Sequence, residues 1–394
     1  MTDPLVGVLL DGRYRVEAKI AAGGMSTVYR GHDVRLDRQV ALKVMDSRYA
    51  DDREFLTRFQ REARAIARLK SPGLVALYDQ GTDAAHPFLV MELVDGGTLR
   101  ELLRERGPMP PHAAVAVLRP LLSGLGVAHH AGLVHRDVKP ENVLISRDGE
   151  VKLVDFGLVR ATAEAGITST SVILGTAAYL SPEQVLGAET GPRSDVYAAG
   201  IMAFELLTGT TPFKGDSAIT VANQRLDQDV PPPSSVIDGV PGQFDEFIAR
   251  ATAREADARF IDAAAMGAEL DAIAEELALP QFRVPAPKSS VQHASAGPPV
   301  RRPTRQLTRG PQDWQPVAAF GDDAETEVVR NDETDEYDTP PRQFAGIDID
   351  EFALARQRSR RVLTFWVLTV LVLTGLVAMA GWEIGLNFNA LIGR

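Results

Sequence analysis

The sequence predicts an α+β domain, followed by a disordered linker and a single transmembrane helix. Three observations carry that prediction. Between about Tyr14 and Ala278, strand-like and helix-like patterns alternate with short turns between them. From Pro280 to roughly Asp350 the composition shifts to Pro, Ser, Thr and Arg, and then to acid. Val362 to Trp382 is a stretch of 21 residues without a charge. The boundaries that follow are an N-terminal extension at 1–13, a folded domain at 14–278 and a linker at 279–355. After these come a basic flank at 356–361, a membrane segment at 362–382 and a short tail at 383–394.

The folded part has ordinary means. The chain has 394 residues, 45% hydrophobic and 24% charged, which allows one large domain or two smaller ones plus extensions. A net charge of -11 argues against a dedicated nucleic-acid binder, which would present a basic face. Cysteine is absent, which excludes a disulfide framework, a thiolate metal site and a cysteine nucleophile, and fits a reducing compartment. The N-terminus carries Asp3 and Asp11 and lacks a basic region before its short apolar stretch, so it does not resemble a signal peptide.

The linker is too polar to bury a core. Its first part is basic, through Arg301, Arg302, Arg305 and Arg309. Its second is acidic, from Asp322, Asp323, Glu325 and Glu327 to Asp338. The uncharged stretch is long enough, at about 1.5 Å per helical residue, to cross a ~30 Å hydrocarbon core. Trp366 and Trp382 lie towards its ends, where indole rings favour the interface. Arg356, Arg358, Arg360 and Arg361 precede it, and the first charge after it is Glu383. The positive-inside rule then places the N-terminal bulk in the cytoplasm and the C-terminus outside. The competing reading is a buried core helix, but nothing nearby could cover a helix apolar on all sides.

The chemistry is concentrated in Val134-His135-Arg136-Asp137-Val138-Lys139-Pro140-Glu141-Asn142, followed by Asp155-Phe156-Gly157 after an apolar strand-like run. The four residues His135, Arg136, Asp137 and Asn142 would coincide by chance on the order of once in 10^5 positions. Here the sequence resembles the protein-kinase family over about two-thirds of its length, which implies the bilobal kinase fold. The resemblance implies ATP as phosphate donor, with Mg²⁺ or Mn²⁺. Asp137 would accept the substrate hydroxyl proton, Lys139 would steady the γ-phosphate, and Asn142 and Asp155 would hold metal. A lysine two residues after the catalytic aspartate is the serine/threonine pattern.

In Val40-Ala41-Leu42-Lys43-Val44, strand alternation puts Ala41 and Lys43 on one face. After Asp51, the residues Phe55, Phe59, Glu62, Ile66 and Leu69 recur at helical spacing, placing Glu62 on an apolar stripe where a lone carboxylate is costly. The resemblance implies that Glu62 pairs with Lys43, which reaches the α- and β-phosphates. Ile20-Ala21-Ala22-Gly23-Gly24-Met25-Ser26-Thr27-Val28 aligns with the family's glycine loop, but Ala21 and Ser26 replace its first and third glycines. Phe88 to Gly97 resembles the hinge, with Met91 as gatekeeper and the backbone of Glu92 and Val94 facing adenine.

The resemblance assigns structural roles to Glu183, expected to pair with Arg259, and to Asp195, expected to brace the catalytic loop. It implies that Arg136 belongs to a pocket for an activation-loop phosphothreonine. Thr168 and Thr170 are the expected autophosphorylation sites, against the plain alternative of a flexible polar loop. Thr176 is expected to contact Asp137 and Lys139. Gly24-Met25-Ser26, Ser181-Pro182-Glu183-Gln184 and the single membrane segment are similar to actinobacterial receptor-type kinases. That likeness suggests a back-to-back homodimer through Arg13, Leu36 and Asp79, with an Arg13–Asp79 ion pair across it. The linker threonines Thr304, Thr308, Thr326 and Thr334 offer sites for phosphothreonine-binding partners, although a solubilising spacer explains the acidity equally well. Protein Ser/Thr hydroxyls are the expected substrates, and membrane lipid the expected surroundings of the anchor. The alternatives of other classes are a nucleotide-regulated pseudokinase, favoured only by Ala21, and a membrane scaffold acting through its linker.

Overall fold

The computed structural model describes residues 3–50, 52–83, 86–156, 177–288 and 290, and the backbone of 343–344 and 347–348. The expected membrane segment, most of the expected linker, Thr168, Thr170 and Thr176 lie outside the described residues. Two compact units are present, 1–302 and 303–394; the second is described only by a short antiparallel pairing of Gln343–Phe344 with Ile347–Asp348.

The N-terminal lobe of the first unit is a six-stranded antiparallel sheet and one helix. The strands are β1 (Leu9–Leu10), β2 (Tyr14–Ala22), β3 (Ser26–Asp33), β4 (Arg38–Met45), β5 (Leu77–Asp83) and β6 (His86–Met91), in the order β1-β2-β3-β4-β6-β5. Side chains of the central strand β4 divide by parity, as a pleated strand requires. Val40, Leu42 and Val44 join a cluster with Tyr14, Tyr29, Phe88 and Val90. Ala41 and Met45 face the other way, onto Phe55, Phe59 and Ala63 of helix α1 (Arg53–Ile66). Lys43 has the parity of Ala41 and Met45, so its ammonium lies on the helix side of the sheet. Helix α1 begins where Asp52 accepts from the backbone N–H groups of Glu54 and Phe55, at 3.0 and 2.9 Å.

The second lobe is helical. It contains α2 (Leu99–Arg106), α3 (Pro111–His130), the single turn α4 (Pro182–Val185), α5 (Pro192–Thr208), α6 (Ala218–Asp227), α7 (Gly242–Ala251) and α8 (Ala263–Glu276). A small sheet β7-β8-β9 (Gly96–Thr98, Val143–Ser146, Val151–Leu153) lies at its upper edge. Helix α5 is buried at every residue from Ser194 to Thr208, because α3, α7 and α8 surround it. Helix α3 is long and apolar enough to cross a membrane by composition, yet most of it is covered by this lobe. The loop before β5 approaches α3 so closely that a Cβ on Gly73 would lie 2.0 Å from the Pro120 carbonyl oxygen, and one on Gly124 2.9 Å from that of Gly73. Only glycine allows this approach. It brings Leu74 beside Leu153, where Val75 N–H donates to the Leu153 carbonyl at 3.0 Å and ties the lobes together.

The packed body exceeds the expected 14–278 at both ends. Leu9 and Leu10 pair with Arg15 and Tyr14, so the N-terminal extension supplies an edge strand. Beyond α8, Val284 is only 2% exposed within the helical core, and the Phe282 ring meets that of His112 at 5.2 Å. Arg283 Nε donates to the Asp148 carbonyl at 2.8 Å, and Lys288 N–H to Glu105 at 2.7 Å. The linker composition begins at Pro280, but apolar residues spaced within it still find a groove. Val284→Asp is therefore expected to lower stability by about 2–4 kcal/mol, since it buries a charge without a partner. Urea unfolding of the full chain checks this; an unchanged midpoint would show the segment to be loosely held.

Candidate active site

Three segments converge between the lobes. Lys43, 8% exposed on β4, places its Nζ 2.8 Å from Oδ1 of Asp155. Asp155 follows β9 and has a positive φ of 63°, an uncommon backbone state for an L-residue, which turns its carboxylate into the cleft. Asp137 lies in the loop between α3 and β8. Lys139 Nζ is 2.8 Å from Asp137 Oδ2, and Asn142 Nδ2 donates to the same oxygen at 3.0 Å and to the Asp137 carbonyl at 2.7 Å.

That loop is held from beneath by a buried carboxylate. Asp195, on α5, accepts from His135 N–H at 2.7 Å and Arg136 N–H at 2.8 Å, and it meets His129 Nε2 at 2.9 Å. Arg136 also has a positive φ, 65°. Two backbone donors on one carboxylate hold the turn that presents Asp137. His135 is fully buried with its pKa lowered by desolvation, and its ring lies 4.8 Å from that of Phe156.

The donor set suits a hard divalent cation. Because Asn142 spends its amide N–H on Asp137, its amide oxygen is the end left for a metal, and Asp155 adds carboxylate oxygen. The glycine loop joins β2 to β3, with Ala21 opposite Val28. A Cβ on Gly23 would have only the Ser26 carbonyl within reach, at 3.5 Å, and one on Gly24 would meet nothing, so the loop has room beside its backbone. Arg48 donates to the Gly24 carbonyl at 3.2 Å and steadies the tip. Ile20 is buried at the end of β2, and Ala41 is buried on β4 next to Met91. Glu92 N–H is committed to the Ala76 carbonyl at 2.9 Å, which leaves its own carbonyl as the group to offer a base; Val94 is buried just beyond. A cavity of about 250 Å³ lies behind the hinge, lined by Glu92, Lys152 and Phe156, and one of about 210 Å³ lies beside Gly23 against Tyr29 and Val44.

One expected pairing is corrected. Lys43 lies beyond ion-pair distance of Glu62 and engages Asp155 instead. Glu62 is half-buried; burial raises its pKa, and the charges of Arg136, Arg61 and Arg58 oppose that rise. The charges that act on Glu62 therefore come from these arginines and not from the strand lysine. Arg13 and Asp79 form an ion pair within the chain, at 3.2 Å. Arg13 also binds Asp33 through two hydrogen bonds of 2.9 and 2.7 Å, which hold the Asp33 carboxyl down to about 2. The β2–β3 register brings Tyr14 opposite Asp33, next to Arg13, while Asp79 reaches Arg13 from β5. Leu36 is 58% exposed.

Below the loop, Arg259 grips Glu183 through two hydrogen bonds of 2.8 and 2.9 Å. Gln184 Nε2 donates to the Arg136 carbonyl at 3.0 Å. Sequence reasoning missed a further network. Arg100, on α2, binds Glu141 at 2.7 Å and Glu205 at 2.6 Å and donates to the Tyr179 hydroxyl, which in turn donates to Glu205. Burial and Glu205 push the Tyr179 phenol far up. An arginine in the first turn of a polar helix reads as solvated; only the neighbouring Glu141, inside the catalytic loop, hinted otherwise.

The family model for the protein kinase domain matches residues 14–264. The chain is 63% identical to serine/threonine-protein kinase PknL of Mycobacterium tuberculosis, over 99% of this chain and 98% of that one. It is 41% identical to serine/threonine-protein kinase PknB of the same species, over 73% of this chain and 47% of that one. The crystal structure of the Mycobacterium tuberculosis PknI kinase domain superposes with a TM-score of 0.55 at 26% identity, covering 69% of this chain and 99% of that one.

Proposed function

Because this chain belongs to the protein kinase family and is a serine/threonine protein kinase, we propose that it transfers the γ-phosphate of ATP to protein Ser/Thr hydroxyls from a membrane anchor. The observation that carries the chemical part is the meeting of Lys43 with Asp155 in one cleft, beside the Asp137–Lys139–Asn142 cluster. In phosphoryl transfer the acceptor oxygen attacks phosphorus in line while the bond to ADP breaks, and the enzyme contributes mainly positioning and charge. Asp137 orients the hydroxyl and takes its proton. Lys139, already against Asp137, offers positive charge to the transferring group. Lys43 offers its ammonium to the α- and β-phosphates. Asn142 and Asp155 would hold Mg²⁺ or Mn²⁺, whose charge neutralises the phosphate oxygens.

Regulation follows from the pairings of Lys43 and Glu62. With Lys43 on Asp155, and Glu62 under the charge of Arg136, the lysine–glutamate pair is unmade. Phosphorylation of Thr168 or Thr170 would give Arg136 a partner of about -1.5 to -2 charge. Glu62, released from that cation, could then turn to Lys43. Association of two copies through the N-lobe face that carries Leu36 would let one domain phosphorylate the other. The basic flank and the uncharged 362–382 support an anchor with the kinase on the cytoplasmic side. Thr304, Thr308, Thr326 and Thr334 would serve as docking sites for phosphothreonine-binding proteins once phosphorylated.

The test is incubation of the full-length chain with labelled ATP and Mg²⁺ or Mn²⁺, beside Asp137→Asn, followed by phosphopeptide mapping. Incorporation should fall by about 100-fold or more in the variant, with label at Thr168 or Thr170 in the active chain. Equal incorporation by both proteins would overturn the role of Asp137, and active chain without phosphate in 158–180 would overturn the activation scheme.

A further inference from the structure

Arg225, on α6, is the largest fully buried side chain among the described residues, at 0% exposure. No carboxylate lies within ion-pair distance of it among the described residues. Its Nε donates to the Ala222 carbonyl and its Nη2 to the Val221 carbonyl, both at 3.1 Å and both on its own helix. Its Nη1 donates to the Leu180 carbonyl, the one hydrogen bond among the described residues that leaves the helix. The Phe213 ring centre lies 5.5 Å from the guanidinium carbon. Burial lowers the pKa of this arginine, opposed only by Tyr197.

A second buried arginine supplies the contrast. Arg259 is 3% exposed and lies over the Tyr197 ring at 4.9 Å, but it has the Glu183 carboxylate as counter-charge. Together the two guanidinium groups hold Leu180 and Glu183, the ends of one four-residue stretch. Arg259 neutralises its partner. Arg225 remains a desolvated cation that serves one external carbonyl, an arrangement that costs stability compared with an apolar side chain of similar volume.

The stretch it holds is tied to the catalytic loop. Lys43 and the glycine loop belong to the N-terminal lobe, whereas residues 177–184 are joined to the segment that presents Asp137. Tyr179 is joined to Glu141 of the catalytic loop through Arg100, and Gln184 is bound to the Arg136 carbonyl. Leu180 lies between those two anchors.

We propose that Arg225 is a positioning residue for the protein substrate: by holding the Leu180 carbonyl it sets the backbone of 177–181 against which the acceptor chain binds. The proposal rests on the phosphoryl-transfer assignment, and wild-type incorporation of phosphate tests that assignment separately. The same geometry implies a trade of stability for substrate binding, which a merely structural arginine would not show.

The experiment uses the full-length chain, ATP, and an acceptor peptide selected from a Ser/Thr library with the wild-type protein. Arg225→Met should raise the KM for peptide by about tenfold, with the KM for ATP within about twofold and an equal or higher Tm. Arg225→Lys keeps a donor but loses the fork, and should raise the peptide KM by about threefold. A peptide KM in Arg225→Met within about twofold of wild type would overturn the proposal. So would a joint rise of both KM values with a fall in Tm, the signature of a structural role. Should the Met variant not fold, the Lys variant decides: a rise in peptide KM alone supports the positioning role, and no rise or a joint rise refutes it.

Discussion

Lys43→Met should lower kcat/KM by about 10^3 while leaving the fold intact. The ammonium is the only cation that the N-lobe sheet places at Asp155, 2.8 Å away in the described structure. Its loss removes positive charge aimed at the phosphates, where a single preorganised donor is worth about 10²–10³ in rate, and removes the partner that holds Asp155. Methionine has a similar volume and an apolar stem, so the face shared with Ala41 and Met45 stays filled. Initial rates with labelled ATP, beside thermal unfolding, make the measurement. A variant that keeps more than about a tenth of wild-type activity would contradict the assignment. Glu62→Gln adds a second reading. If Glu62 exchanges onto Lys43 in the phosphorylated enzyme, this variant should impair the phosphorylated form more than the unphosphorylated one.

The second large effect is on stability. Arg259→Met should destabilise the chain by about 3–5 kcal/mol, because Glu183 would be left in a largely buried position without its bidentate partner. The carbonyls of Ala253, Arg193 and Arg254 would lose donors as well. Burial alone would raise the Glu183 pKa, but the hydrogen bonds from Arg259 and Ser194 outweigh it and hold the group at about 2 instead of 4.5. The sign follows from linkage. A carboxyl depressed in the folded state stabilises it fully above pH 4.5 and loses that contribution as the pH falls towards 2. The depression corresponds to roughly 3 kcal/mol. Urea midpoints between pH 7 and pH 3 should therefore fall more steeply for wild type than for Arg259→Met. Parallel curves would mean that Glu183 is not the linked group.

Much of the site was legible because it is built from short segments. Asp137, Lys139 and Asn142 lie within six residues of one another, and a turn of that length leaves little freedom in how its side chains converge. Lys43 was readable because strand parity is local: Ala41, Lys43 and Met45 share a face whatever the sheet packs against. Glu62 was less readable. Helical spacing put it near the apolar stripe, but the tertiary fold sets it among the charges of Arg58, Arg61 and Arg136 instead of beside Lys43. Arg13 and Asp79 lie 66 residues apart, and the ion pair they form within the chain depends on long-range strand placement.

The residues alone determined the alternation of strands and helices, the kinase-like set of Lys43, Asp137, Asn142 and Asp155, and the order of the polar and uncharged stretches, because these depend on pattern and composition within a few turns of chain. Tertiary structure alone decided that Lys43 meets Asp155, that Val284 belongs to the helical core, and that Arg225 is buried against Leu180. A charge's partner is chosen by distances of a few ångströms between segments dozens of residues apart. Local periodicity carries no information on that scale, whereas packing at the density of a protein interior leaves only one arrangement.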